Sequence, residues 1–266
     1  MLMLIAAIVG IYGLFIGSFL NVVVFRVHAG KDFVKGRSHC PYCKHQLSAR
    51  DLVPLFSWVA LRGRCRSCRK PISMQYPTVE LLTGALFSAL YLHFQPHSPV
   101  AILSFVLWLY IAASFIVLSV YDLRWYLLPD RILLPIIVPA LVLLLLNAVT
   151  THHLSAIGGP ILAAFGFGGA FYTLAAVSKG KWMGGGDIKL AFIMGLLLGI
   201  QKTSVAMFIA FDTAAIVGLA LIIIKRRKTS QLIPFGPFLM GGALIALIYG
   251  HAILSWYVSI TGLSQL

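Results

Sequence analysis

Eight stretches of this chain approach or exceed the roughly 20 apolar residues needed to cross a hydrocarbon layer about 30 Å thick. They lie near Leu2–Val24, Val79–Phe94, Val100–Tyr121, Ile132–Val149, Ile157–Val177, Trp182–Ile200, Thr203–Ile224 and Pro237–Ser259. Backbone polar groups in lipid must be satisfied within the segment, so spans of this kind are helices. Only 11% of residues are charged, against about a quarter in a soluble domain. The expected fold is an all-α polytopic membrane protein of about eight transmembrane helices. The first stretch has no basic start and no small-residue cleavage site, so it is expected to be a retained helix rather than a signal peptide.

Eleven of the 21 Lys and Arg residues fall between Arg26 and Lys70. Alternating eight spans puts every basic residue except Lys202 on one side. Basic residues in short loops favour the cytoplasm, which places both termini outside and the 26–70 segment inside. The sixth span is the weak one, since Ile188–Ile200 is short. If it did not cross, the run Lys225–Lys228 would land outside. The net charge of +14 is accounted for by this topology and by anionic lipid headgroups; no nucleic-acid module is present. The expected organisation is a first helix (1–25), a polar loop (26–78) and a seven-helix membrane core (79–266).

All four cysteines lie in the polar loop, in "CPYC" (Cys40, Cys43) and "CRSC" (Cys65, Cys68). Two such pairs, separated by 21 residues, match the knuckles of a four-cysteine zinc site, one residue longer than the usual gap. Four thiolates close the coordination sphere, which makes the site structural. Disulfides or a redox pair are the competing explanation. Reducing cytoplasm disfavours the first, and no thioredoxin-like pattern surrounds either pair.

Seven carboxylates remain to be placed. Asp32 and Asp51 sit among the loop's basic residues and are expected to make surface pairs. Asp130, after Pro129, is expected to cap the fourth span, and Glu80 to favour the start of the second. Asp212 falls deep in the seventh span, where an ionisable residue is a functional candidate; the competing explanation is a protonated side chain bonded to a neighbouring helix. Asp122 ends the third span and Asp187 opens the sixth, so both face the cytoplasmic side. Two carboxylates that meet can share a proton and activate water. Asp187 also follows Gly184, Gly185 and Gly186, and capping alone would explain an acid there. The glycines are expected to let an extended substrate approach the backbone, with a packing kink as the alternative. Helix-end effects suggest Asp187 as the ionised base and Asp122 as the protonated partner.

The ordered set "GSFLNVVVFR", "CPYC", "SWVALRGRCRSCRKPIS", "YPTVELLTG", "YDLRWYLLPD", "MGGGDIKL" and "PFGPFL" resembles the type IV prepilin peptidases, bacterial members of the GxGD membrane aspartic proteases. The resemblance implies that Asp122 and Asp187 are the catalytic pair. It implies removal of the basic leader from prepilins and pseudopilins, after a glycine, at the cytoplasmic face of the inner membrane. The resemblance implies service to type IV pili, type II secretion or DNA uptake. The resemblance also implies N-methylation of the new amine by S-adenosylmethionine, for which no binding residue is identified. His28 and Gln75 depart from the common family pattern near the loop. The rival reading is a nonenzymatic scaffold or transporter with a zinc-bound loop, in which Asp212 would matter and the other two aspartates would not.

Overall fold

A computed structural model describes residues 1–32, 34, 36–153, 155–224 and 233–261, so the basic run at 225–228 lies outside the described residues. The described chain is helical, with no strand beyond two isolated bridges. In order come α1 (Leu2–His28), a 3-10 turn (Ala49–Leu52), α2 (Phe56–Ala60), α3 (Gln75–Phe94) and α4 (Pro99–Trp125). After these come α5 (Asp130–Leu133), a 3-10 turn (Leu134–Ile136), α6 (Ile137–Thr151), α7 (Ser155–Val177), α8 (Gly185–Ile223) and α9 (Gly236–Thr261). Among the described residues, six helical stretches are long and apolar enough to cross a membrane: α1, α4, Asp130–Thr151, most of α7, α8 and α9. Two expected spans are absent from that set. The sixth and seventh merge into α8, and α3, which carries Glu80 and His93, is less apolar.

The chain forms two compact units, Met1–Val117 and Leu118–Leu266. In the first, α1 and α3 run antiparallel at close range because glycine lets their backbones approach. A Cβ at Gly13 would stand 2.9 Å from the Gly84 Cα, and one at Gly17 would stand 2.7 Å from the Glu80 Cα. At one end Ser88 donates to the Ala6 carbonyl. At the other, buried Asn21 donates to the Gly17 and Tyr76 carbonyls and accepts from Gln75.

The second unit contains the 39-residue α8, whose length as a straight rod would be about 58 Å, nearly twice the hydrocarbon thickness. It is not straight. Gly199 has φ 70° inside it, and buried Thr203 donates to the Met194 carbonyl at 3.2 Å. Nine residues along a continuous helix rise about 13.5 Å, so that bond requires the chain to double back at Gly199. The first arm packs on α7, where Gly195 meets Ala163 and Ala164 and Phe192 meets Gly168. The second arm packs on α9, where Gly242 meets Ala206 and Gly250 meets Lys202. Large apolar side chains such as Phe165, Phe208 and Ile216 face outward, the surface that lipid covers in a membrane protein.

Candidate active site and metal centre

Asp122 lies on the buried stripe of α4 formed by Phe115, Leu118 and Tyr121, and is itself buried. Helical spacing sets Asp187 on the same side of α8 as buried Leu190 and Met194. Each carboxylate accepts a backbone N–H at a helix start. Gly236, the first residue of α9, donates to Asp122 Oδ2 at 3.0 Å. Gly184, the N-cap of α8, donates to Asp187 Oδ2 at 3.3 Å. Leu128 closes the arrangement from the "YLLPD" turn. Its side chain lies 2.8 Å from where a Cβ at Gly186 would be and 3.4 Å from where one at Gly236 would be.

The three glycines are not equivalent. Gly186 is filled by Leu128, whereas a Cβ at Gly185 would meet nothing within 4 Å and one at Gly184 only the Asp187 carboxylate. None of the three has a positive φ. The open backbone is therefore at Gly184 and Gly185, and Gly186 serves packing.

Several local assignments change. Asp187 is the third residue of α8 and reaches back to its N-cap rather than being that cap. Asp130 does not cap a helix: Pro129 occupies that position, and Asp130 bonds Lys189 at 2.6 Å instead. Glu80 lies well inside α3, where it accepts the Leu55 N–H at 2.8 Å and so ties the cysteine loop to that helix. The start of α9 adds a positive helix end beside Asp122, so helix ends do not by themselves set the two aspartates apart. Asp212 bonds no described neighbouring helix; it is exposed on the second arm of α8. Gly236 was named from sequence only within "PFGPFL". Pro237 directly after it suits the first turn of a helix, but no local pattern identifies its acid partner 114 residues away.

The cysteine loop folds as two copies of one knuckle. Cys40 donates its N–H to the His45 carbonyl and accepts from Lys44. Cys65 does the same with Lys70 and Arg69. Lys44 and Arg69 both have positive φ, 60° and 58°. None of the four cysteines is in a disulfide, and their sulfurs lie within 4.8 Å of one another. Tetrahedral coordination with bonds of about 2.3 Å places sulfurs about 3.8 Å apart; Cys40 and Cys68 stand at 3.9 Å. Burial would raise the Cys40 thiol, but the Cys43 and Tyr42 N–H groups bring it down to about 7. This donor set can hold one metal ion. Around it, Asp51 accepts from Ser48 and pairs with Arg66 at 2.7 Å, and the Trp58 ring covers Gly63.

Two family models match the chain: the bacterial peptidase A24 N-terminal domain over residues 11–94 and the type IV leader peptidase family over residues 109–219. Among curated proteins, the chain is 34% identical to a prepilin leader peptidase/N-methyltransferase of Aeromonas hydrophila, covering 95% of this chain and 93% of that one. It is 32% identical to the protein of the same name from Bacillus subtilis, over 95% and 97%. The identity to the one from Legionella pneumophila is 31%, over 94% and 93%. No solved structure matches the chain significantly.

Proposed function

Because this chain belongs to the type IV leader peptidase family, it is an enzyme, and we propose that it is an aspartic endopeptidase of prepilins and pseudopilins. It removes their leader after a glycine, at the cytoplasmic face of a bacterial inner membrane, in the service of pili, type II secretion or DNA uptake. The observation that carries this reading is that Asp122 and Asp187 lie in one unit, each held by a helix-start N–H, with Leu128 packed against both helix starts.

The mechanism follows from that pair. Two carboxylates sharing one proton supply an acid and a base together. The ionised member takes a proton from water as the water adds to the scissile carbonyl. The protonated member donates to the carbonyl oxygen, and the amine leaves once its nitrogen is protonated. Gly184 and Gly185 leave room for the extended substrate strand beside Asp187.

The topology proposed is eight crossings, with α3 as the second and the two arms of α8 as the sixth and seventh. The functional divisions are 1–25, the cytoplasmic loop 26–78 and the core 79–266. Cys40, Cys43, Cys65 and Cys68 hold a structural zinc ion, which supplies cross-linking to a loop with little apolar core. Methyl transfer to the new amine is proposed from the names of the relatives, with S-adenosylmethionine as donor. The cavity of about 360 Å³ in the second unit is lined by Leu134, Phe165, Phe192 and similar side chains, with Lys189 its only charged group. That lining does not suit the donor's sulfonium and amino groups, so no step is derived through it.

Incubating the full-length enzyme with a prepilin, with and without S-adenosylmethionine, and weighing the product tests both activities. Leader loss, plus one methyl mass when the donor is present, is expected. An uncut prepilin would refute the endopeptidase, and a cut but unmethylated product would refute methyl transfer. Asp122→Asn and Asp187→Asn variants that still cut would exclude this pair as the catalytic one.

A further inference from the structure

Asp212 is the one carboxylate of the second unit used neither by the aspartate pair nor by the Asp130–Lys189 bridge. Its depth follows from two independent registers. Along α7 and the first arm of α8, Gly199 meets Pro160, Gly195 meets Ala164 and Gly168 meets Phe192. Continued, that register sets Asp187 level with residue 172, and the Phe171 ring lies 6.3 Å from that of Phe211. Along α9 and the second arm, Gly250 meets Lys202 and Gly242 meets Ala206 and Ala210. That register brings Gly236, the donor to Asp122, to about the level of Asp212 (within about one turn). The Phe235 ring lies 5.0 Å from Phe211. Asp212 therefore stands at the depth of the pair.

Its side chain points away from the core. The buried face of this arm carries Ala206, Met207 and Ala210, while Asp212 lies one turn from outward-facing Phe208 and Ile216. No described residue hydrogen-bonds or ion-pairs with it. Carboxylates within membrane spans ordinarily face the bundle interior or a polar cavity and are paired. One on the apolar surface with no partner among the described residues offers its charge to a cation from another molecule.

We propose that Asp212 is a specificity residue that receives a Lys or Arg side chain from the basic flank of the substrate's apolar helix. The inference rests on the endopeptidase reading. A membrane-anchored substrate reaching the site through lipid presents an apolar helix, and its cytoplasmic flank is basic by the positive-inside rule. Long basic side chains extend along apolar surface to reach a polar partner. An enzyme of net charge +14 repels such a flank over most of its cytoplasmic surface. Asp212 supplies the opposite charge where the flank must dock.

The test uses full-length enzyme in vesicles of zwitterionic lipid and two prepilin-type peptides, one with the Lys/Arg flank and one with Glu in its place. Each is also made with an N-methylated scissile bond, so that binding is read apart from cleavage. Asp212→Asn is expected to raise Kd and KM for the basic peptide roughly tenfold with kcat within about twofold, and Asp212→Glu to restore them. Asp212→Lys is expected to prefer the Glu-flanked peptide. Thermal unfolding checks that each variant folds. Variants that discriminate the two flanks as wild type does would overturn the role of Asp212 while leaving the peptidase intact. A wild type that prefers the basic flank yet cuts neither peptide would overturn the peptidase and leave the charge pairing standing.

Discussion

The Gly236 N–H holds Asp122 Oδ2 at 3.0 Å, and a Cβ at position 236 would stand 2.7 Å from that same oxygen. One backbone amide thus fixes the acid, and the lack of a side chain makes the approach possible. The residues are 114 apart in sequence, so the start of α9 is part of the site rather than a neighbour of it.

Gly236→Ala should therefore displace the Asp122 carboxylate. Overpacking of this kind costs about 1–3 kcal/mol, a modest fall in Tm, whereas cleavage should drop at least tenfold. Parallel thermal unfolding and prepilin cleavage would check this; full activity would show that Asp122 has room to move.

Asp187→Asn separates catalysis from capping. Asn retains a side-chain oxygen that can accept the Gly184 N–H but cannot exchange a proton with water. Cleavage should fall by about a thousandfold, as for loss of an acid–base group, with Tm nearly unchanged. A large fall in Tm with residual activity would mark the residue as structural.

Glycine-to-alanine changes should sort by position along α8. Gly185→Ala enters open space and should leave Tm unchanged, losing activity only if substrate passes there. Gly195→Ala would put a Cβ 2.5 Å from the Ala164 backbone and should destabilise by about 1–3 kcal/mol. Equal Tm values for the two would contradict the packing of α7 on the first arm.

If the four cysteines hold a metal, Cys65→Ser should abolish its binding and expose the loop to protease together, because a small polar segment of this kind gains its folding energy from such an ion. Metal analysis and limited proteolysis check this. An intact loop in metal-free protein would show that the hydrogen-bonded knuckles suffice.

The Asp51 contacts make the loop acid-sensitive. Hydrogen bonding from the Ser48 hydroxyl, aided by Arg66, holds the Asp51 carboxyl below its ordinary value despite some burial. A depressed carboxylate contributes stability above its unfolded pKa and loses it as pH falls through the folded one. Loop protection from protease should thus weaken on acidification below about pH 4, and Asp51→Asn should remove that part of the dependence. An unchanged acid profile in the variant would assign the dependence to the cysteines.

The helical class and most of the apolar segments were legible because lipid acts on composition: a run of apolar side chains needs no partner to be recognised. The cysteine pairs were legible because knuckle spacing is local. The two aspartates were proposed from their positions at span ends, but span ends do not say which helices touch. Hydropathy divides the sixth and seventh spans at 201–202, whereas the reversal falls at Gly199, through a single positive φ and the Thr203–Met194 bond.

Sequence alone therefore determined the solvent, the helical secondary structure and the inventory of acids and thiols, all properties of residue type and short spacing. Tertiary structure decided the rest. It gave Asp122 a helix start for a partner, bound Asp130 to Lys189 instead of a helix end, and turned Asp212 outward at the depth of the pair. The physical reason is that these outcomes depend on contacts between segments far apart along the chain, and hydropathy, nearly uniform around such helices, does not choose which faces meet.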